Sequence, residues 1–410
     1  MRILLIHQQF LEDDDPGGSR FNEMTKVWSD LNCQVTVIAG SMHYNLKKKR
    51  EEYRHKIFVK KLQGNILVYR CFVSEYYNNN FIGRFWGYIS FVLSSTFVGL
   101  FKIKNNFDVI LVTSPPLFVG ITARILSIFK KTPFVFEVRD LWPESAIDTG
   151  ILNNSLLINL SYKLEKYLYN KAALINVLTP AFQQNLIDKK NIDPKKIIYI
   201  PNAADFNLSD TLVQNFDAIS FRIRNNTDNK FVITYVGAHG VANHLIQVID
   251  VAEKLRHTNI IFQLIGEGMQ KSMLKEEVER RKLDNVIFID AVPKYNVFEY
   301  ILASDIGMSV LKKNDTFKTV FSNKTFDYMA CKKPILMLID GVSRELIEEA
   351  QCGIYAEPEN INEIVEKIKV YYEDTNLLYL HGNNGYNFAK EKFDRIKLAK
   401  NYLDNLVAIK

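Results

Sequence analysis

The stretch Ser322-Asn-Lys-Thr-Phe-Asp-Tyr-Met-Ala-Cys-Lys-Lys-Pro334 places a lysine and an acid one turn apart on a segment with helical spacing. Phe326, Met329 and Ala330 fall at i, i+3 and i+4, and an apolar run from Ile335 to Ile339 starts directly after Pro334. This pattern predicts a short helix that feeds a buried strand. Asn323, Lys324 and Asp327 then lie in its first turns. Free N–H groups at a helix N-terminus beside an ammonium attract a phosphate, and an acid one turn on can accept hydrogen bonds from a ribose diol. That is the chemistry of a sugar-nucleotide site; an ordinary amphipathic helix is the alternative for this stretch alone.

Two glycine turns earlier in the second half fit the same chemistry. Tyr235-Val-Gly237 ends an apolar run and leads through His239-Gly240 toward a helix that is expected to open near Asn243. Gly266-Glu267-Gly268 repeats the arrangement after Ile260 to Ile265. Glycine lets a backbone approach a phosphate and turn its N–H groups toward it, although a plain strand-to-helix turn explains either one singly. In the first half, Gly17-Gly18-Ser19 opens a helical segment, and Thr113-Ser114-Pro115-Pro116 closes an apolar run. Arg139, Asp140, Trp142 and Glu144 crowd the exit of another run, Phe134 to Val138. Such residues at the C-terminal end of a strand suit polar substrate contacts; a structural Arg–Asp pair is the alternative.

Other chemistries find little support. Asp13, Asp14 and Asp15 read as a solvated loop, because no strand delivers them and no histidine accompanies them. His239 and His244 stand five apart, which is no ligand spacing, and no metal is expected. Neither G-x-S-x-G nor H-E-x-x-H occurs, which argues against hydrolases of those types. Cys33, Cys71, Cys331 and Cys352 are scattered without a C-x-x-C, so neither a zinc site nor a disulfide framework is indicated, and a reducing cytosol fits. No G-x-G-x-x-G follows the first strand; Glu12 to Asp15 stand there instead and would repel a dinucleotide pyrophosphate.

The elements that must position these residues alternate along the chain. Ile3 to Ile6, Gln34 to Ala39, Val109 to Thr113, Phe134 to Val138, Leu174 to Leu178 and Ile197 to Ile200 read as short buried strands, with helices at Ser19 to Leu31, Leu156 to Asn170 and Ala181 to Lys189. A polar linker is expected over 207–230. The alternation then restarts with strands at Phe231 to Val236, Ile260 to Ile265, Val286 to Ile289, Ile306 to Leu311 and Ile335 to Ile339. Helices are expected at Asn243 to Arg256, Met269 to Arg281, Val297 to Ala303 and Arg344 to Ala350, followed by a helix-rich tail. Near-continuous apolar strands separated by helices mean parallel sheets covered on both faces. The fold class is therefore α/β, with two doubly wound Rossmann-like domains. The expected boundaries are 1–205, 206–385 and a C-terminal helix, 386–410, that packs back on the first domain. A cleft between the domains would hold a ligand at the strand C-termini of each.

Length and charge agree with two domains. At 410 residues, 47% hydrophobic and 24% charged, the chain is too long for one ordinary core. Residues 1–200 hold 26 Lys and Arg against 17 Asp and Glu, whereas the remainder holds 26 against 29. The positive excess thus belongs to the first half and is densest from Lys47 to Lys61. Such a surface suits an anionic lipid face, a phosphate-bearing substrate or nucleic acid, and a solvated loop is equally compatible. The N-terminal apolar run is too short for a signal peptide. Phe85 to Phe101, uncharged between Arg84 and Lys102, is at the lower limit for spanning a bilayer. Its aromatics and basic flanks favour a helix lying at a membrane interface, with a buried core helix as the alternative.

These motifs together resemble the retaining glycosyltransferases of the GT-B fold in family four, most closely the bacterial branch with N-acetyl-L-fucosamine transferases of O-antigen and capsule assembly. The resemblance runs over nearly the whole chain. It is carried by Gly17-Gly18, Thr113-Ser-Pro-Pro116, Arg139-Asp-Leu-Trp-Pro-Glu-Ser145, Ile200-Pro-Asn202 with Asp205, Tyr235-Val-Gly237, Gly266-Glu-Gly268 and Asn323-Lys-Thr-Phe-Asp-Tyr-Met-Ala330. By it, Asp327 is the second acid of an E-x7-E motif and holds the nucleotide ribose, while the first acid's place is taken by Thr319. The basic pair that often follows the Tyr-x-Gly strand is absent from Ala238 to His244, which leaves the pyrophosphate to Lys324 and helix N-termini.

The resemblance implies donor contacts from Gly237, Asn243, Gly266, Glu267, Gly268, Thr319, Asn323, Lys324 and Asp327. Gly17, Gly18, Ser114, Trp142 and Glu144 would contact the acceptor, and Arg139, Asp140 and Lys324 would serve the chemistry. The implied reaction moves a sugar, for example N-acetyl-L-fucosamine, with retention from a UDP-sugar to a polyprenyl-linked saccharide. The expected setting is cytoplasmic, peripheral on the inner membrane face, with no metal, cofactor or nucleic acid. A UDP-sugar 2-epimerase of similar shape and a non-catalytic membrane-surface scaffold are the alternatives.

Overall fold

The computed structural model describes residues 1–410 except 14, 16–19, 43–48, 79–80, 149, 151 and 410, and describes only the backbone of 77, 78, 81, 82 and 84. Gly17 and Gly18 therefore lie outside the described residues. The chain divides into two compact units: unit 1 runs to Pro201 and resumes at Ile396, and unit 2 is Asn202–Arg395.

Unit 1 contains, in order, β1 (Arg2–Ile6), α1 (Arg20–Asp30), β2 (Gln34–Gly40), β3 (Phe58–Gln63), β4 (Ile66–Cys71), α2 (Phe81–Phe101), β5 (Val109–Ser114) and α3 (Val119–Lys130). It continues with β6 (Phe134–Val138), α4 (Glu144–Asp148), α5 (Ser155–Lys171), β7 (Leu174–Val177), α6 (Pro180–Asp188) and β8 (Ile197–Tyr199). The sheet order is β3-β4-β2-β1-β5-β6-β7-β8. All pairs are parallel except β3 with β4.

Ile6, Val112, Phe136 and Ile175 stand level across this sheet. One residue further, His7, Thr113, Glu137 and Asn176 form a polar row on one face, each at most 2% exposed. Arg20 closes part of that row. Its guanidinium pairs with Glu137 at 3.2 Å and donates to the carbonyls of Pro201 and Ile200. Asn176 donates to Glu137 at 3.0 Å and accepts from Ile200 N–H at 2.9 Å. The start of α1 is thereby tied to the ends of β6, β7 and β8.

Unit 2 contains α7 (Phe206–Asn215), α8 (Ala218–Arg224), β9 (Phe231–Val236), α9 (Ile246–Lys254), β10 (Ile260–Ile265), α10 (Lys271–Arg281), β11 (Val286–Ile289) and α11 (Lys294–Leu302). It continues with β12 (Ile306–Val310), α12 (Asn323–Ala330), β13 (Ile335–Leu338), α13 (Val342–Glu349), β14 (Gly353–Tyr355), α14 (Ile361–Glu373) and α15 (Thr375–Lys392). Its sheet, β11-β10-β9-β12-β13-β14, is parallel throughout. Buried side chains cover both faces, with Val248, Leu274 and Ile368 among one cluster and Phe326, Met329 and Ile347 among the other.

Helix α16 (Arg395–Ala408) follows unit 2 in the chain, but from Ile396 it belongs to unit 1. There the Trp28 Nε1–H donates to Ala399 O at 2.8 Å, and the Trp28 and Tyr402 rings meet edge to face at 5.8 Å.

Several sequence expectations are corrected. The linker over 207–230 contains α7 and α8, whose starts are capped by the Asp205 and Asp217 side chains. β3, β4 and β14 were not expected. Asp15 is no solvated residue, since its side chain is 5% exposed and ion-paired to Arg50 at 2.7 Å. The neighbouring Glu12 is buried with Arg70, Tyr53 and Lys61. Arg50 and Lys61 of the basic run are thus answered by acids far away in sequence, and Lys49 is buried over the Phe72 ring at 3.8 Å.

Trp28 is fully buried and bonded to a helix over 370 positions away. Trp28→Ala should therefore cost about 3–5 kcal/mol through cavity formation, read as a lowered denaturation midpoint for unit 1 together with loss of α16 protection in hydrogen exchange.

Candidate functional site

Each sheet has one place where its order reverses, and ligands of open α/β sheets bind there, outside the strand C-termini. In unit 2 this is between β9 and β12. Gly237, just past β9, has φ +147°, and Gly266, just past β10, has φ +142°. A Cβ on Gly266 would stand 2.0 Å from Gly237 O, and one on Gly268 would stand 2.4 Å from His239 O. The two turns are joined by Gly237 N–H to Ile265 O at 3.0 Å and His239 N–H to Glu267 O at 2.9 Å. Side chains are excluded at both glycines, and backbone lines this edge.

Helix α12 completes the place. Tyr328 fixes it: its hydroxyl donates to the carbonyls of Thr234 and Met308 at 3.1 Å and accepts from Val236 N–H at 3.2 Å. Gly307 makes room for that ring, since a Cβ there would meet it at 2.3 Å. At the other end, Ser322 has extended backbone and caps nothing with its side chain; its hydroxyl accepts from Lys324 Nζ at 3.1 Å. The first N–H groups of α12 thus keep their positive potential uncancelled by a side-chain cap. Lys324 lies over the Tyr235 ring at 4.8 Å, and its Cε would stand 3.1 Å from a Cβ on Gly237. Burial away from water pushes its pKa down to about 8, against the pull of Asp327.

Lys324, Gly237 and Gly266 are therefore brought together, with half-buried Asp327 one turn along α12 and Asn323 exposed at its start. Asn243 ends a 3-10 turn, Val241–Asn243, and its Oδ1 is 3.5 Å from a Cβ on Gly240, so α9 begins three residues later than expected. Thr319 ends another such turn, Asp315–Thr319, and donates to Thr316 O at 2.7 Å. The Glu267 carboxylate pairs with Lys271 at 2.6 Å, and Lys271 also reaches Asp290 and Gly266 O. Sequence reasoning missed Lys271. It also passed over His239, fully buried beside Phe288, with a pKa lowered to about 4 by burial and then Lys271.

In unit 1 the order reverses between β1 and β5. Ser114 is buried at the end of β5, and its carbonyl accepts from Arg139 N–H at 3.2 Å. Arg139 Nη1 lies 3.4 Å from His7 Nε2. Asp140 has its pKa raised to about 6, by burial first, against hydrogen bonds from Ser145 and Leu141 N–H. Trp142 packs edge to face on Phe118 at 5.6 Å, which meets Phe85 at 5.5 Å.

Glu144 Oε1 is bonded to Lys190 at 2.5 Å, and Lys190 bonds Glu165 at 2.8 Å. Burial lifts Glu165 to about 7, against the pull of Lys190. The cluster anchors the start of α4, and with it the Arg139–Pro143 loop, to α5 and the residues past α6. Among the described residues, no group of three or more His, Cys, Asp or Glu could hold a metal ion.

With this geometry in view, residues 217–388 match the family model "Glycosyl transferases group 1", and residues 18–203 match "Glycosyl transferase 4-like domain". WcaI of Escherichia coli, which bears the name of a colanic acid biosynthesis glycosyl transferase, is 21% identical over 99% of this chain and all of its own. An uncharacterized glycosyltransferase of Methanocaldococcus jannaschii is 24% identical over 93% of this chain and 92% of its own. Among solved structures, Anabaena HepE in complex with UDP matches with a TM-score of 0.70 at 17% identity, over all of both chains. Sucrose-phosphate synthase from Thermosynechococcus elongatus matches with 0.75 at 14%, also over all of both chains.

Lys324 supplies a pH test. Near pH 8 half of it loses its charge in the unliganded protein, whereas a bound diphosphate favours the ammonium and raises its pKa. A diphosphate such as that of UDP, if held there, would therefore bind more weakly above pH 8, by at most about tenfold per pH unit, and take up a proton. Titration calorimetry in two buffers of different ionisation heat measures that uptake, and Lys324→Met should remove it.

Proposed function

We propose that this chain, whose two halves match glycosyltransferase family models and whose fold is GT-B, moves a sugar with retention from a UDP-sugar, bound in unit 2, to a polyprenyl-linked saccharide recognised by unit 1. The observation that carries the donor half is the uncapped N-terminus of α12 with Lys324 against the Gly237 turn. Backbone N–H groups and an ammonium at one point suit a diphosphate, and Asp327 stands where a ribose diol could donate to it. The HepE relative in fold was solved with UDP, which favours that nucleotide. An acetamido sugar such as N-acetyl-L-fucosamine is the transferred group we favour from the family resemblance.

The step needs no protein nucleophile. The bond from the anomeric carbon to the diphosphate oxygen breaks while the acceptor oxygen bonds the same carbon on the same face. The acceptor proton passes to a phosphate oxygen. Lys324 and the α12 N–H groups would stabilise the charge gathering on the leaving diphosphate. Arg139 and Asp140 would orient sugar hydroxyls, and Ser114 and Trp142 would border the acceptor. Asn243, Gly268 and Asn323 would support the donor, and Thr319 would offer a hydroxyl where relatives of the motif carry an acid.

The lipid part rests on one face of unit 1. Among the described residues no helix is long and apolar enough to cross a membrane. Helix α2 instead has two faces. Phe91, Ser95 and Val98 are buried, with Ser95 bonded to Thr122 of α3 at 2.9 Å. Trp86, Leu93, Phe97 and Phe101 are exposed, as are Ile128 and Phe129 of α3. Lys102 lies over Phe97 at 5.7 Å. Apolar side chains fringed by cations suit the inner, anionic leaflet of a cell membrane, and the aromatic path from Phe85 through Phe118 to Trp142 links this face to the acceptor loop.

Calorimetry with UDP tests the donor half. Lys324→Ala should weaken binding about 10- to 100-fold, the value of a charge-assisted hydrogen bond, and absence of any binding to the parent protein defeats the reading. Product from a UDP-sugar alone would point to an epimerase. Flotation with anionic vesicles tests the lipid half: the parent protein should float, and a Leu93→Ser, Phe97→Ser, Phe101→Ser variant should not.

A further inference from the structure

The switch point of unit 1 holds polar groups that the proposed chemistry leaves unused. His7 and Thr113 end neighbouring strands at one level and on one face, 2% and 1% exposed. His7 Nδ1 and Thr113 Oγ1 have no hydrogen-bond partner among the described residues. Buried polar atoms are nearly always paired, and two unpaired ones side by side, where an open α/β sheet takes its ligand, call for a polar guest.

The chemistry of that guest follows from the donors and acceptors. A guanidinium only donates, so with Arg139 Nη1 at 3.4 Å the His7 Nε2 carries the lone pair and Nδ1 carries the proton. Burial, and then the charges of Arg139 and Arg70, hold the imidazole neutral. Phe10 and Phe21 flank the ring edge to face at 6.2 and 5.6 Å and set its direction. Thr113 can donate and accept. Asp140 stands next to Arg139 and offsets its charge, so the group as a whole does not ask for an anion.

We propose that His7, Thr113 and Arg139 form a hydroxyl-reading saccharide subsite of unit 1, in which His7 Nδ1–H donates to a sugar oxygen, Thr113 exchanges a hydrogen bond with a neighbouring sugar hydroxyl, and Arg139, held by His7 Nε2, adds a further donor. The inference rests on the transferase reading and gives its acceptor side a class: a neutral sugar with adjacent hydroxyls. His7 is then both a ligand contact and a positioning residue for Arg139.

The test uses the full chain with 15N-labelled histidine, with and without UDP, titrated with the methyl glycosides of glucose, galactose, N-acetylglucosamine and glucuronic acid. Long-range 1H–15N spectra should show His7 protonated at Nδ1, and a neutral glycoside should shift that signal. Thr113→Val and His7→Phe should each weaken the glycoside about tenfold while the heat of UDP binding stays as in the parent; Thr113→Val is nearly isosteric and keeps the test open if His7→Phe misfolds. An Nε2-protonated His7, a signal that no glycoside moves, or unchanged affinity in Thr113→Val overturns the subsite, and preference for the glucuronide overturns the neutral class. Loss of UDP binding in the parent would count against the transferase reading alone, because the glycoside titration is also run without UDP.

Discussion

Unit 2 depends on a contact between two backbones. Gly266 lies so close to the carbonyl of Gly237 that a single methyl group there would overlap it, and both glycines occupy φ values that L side chains rarely adopt. This closeness lets successive strand ends present peptide groups rather than side chains. It also leaves beside Gly237 the room that the Lys324 stem fills. The position of α12 follows from the same economy of space, since Tyr328 fits over β12 only because position 307 lacks a side chain. An extra carbon would meet the Gly237 backbone at Gly266, the Tyr328 ring at Gly307, and the Lys324 stem and Tyr235 hydroxyl at Gly237.

The alternation of apolar runs and helices was legible because parallel strands covered on both faces are apolar throughout. The α12 segment was legible for a related reason: its buried face is contiguous in sequence and ends at a proline. The missed strands have other signatures. β3 is an antiparallel edge that carries Lys60 and Lys61, β4 is its partner, and β14 has only three residues. α7 and α8 look like a linker because few of their residues are buried, Phe206, Ser209 and Leu212 in one and Phe221 in the other. Their aspartate caps were the available signal.

Side-chain commitments were least legible. Glu144 is paired with Lys190, 46 positions away, and Asp15 answers Arg50 across 35. No local pattern records such pairings. His7 shows the converse: it follows the first strand in sequence, and only the register of β1 against β5 reveals that it stands beside Thr113 at the reversal of the sheet. The composition told the sign of unit 1's charge correctly but not which cations were already answered.

The return of α16 to unit 1 has a consequence for the order in which the protein can be made. Trp28 is synthesised early, yet the carbonyl that receives its indole proton belongs to Ala399, which leaves the ribosome only after all of Asn202–Arg395. Unit 1 must therefore wait with an unfilled place in its core while unit 2 is translated and folds. Domains usually fold as they emerge, N-terminal first. Here the first to begin is the last to finish, and the nascent chain carries an exposed aromatic surface through most of its synthesis.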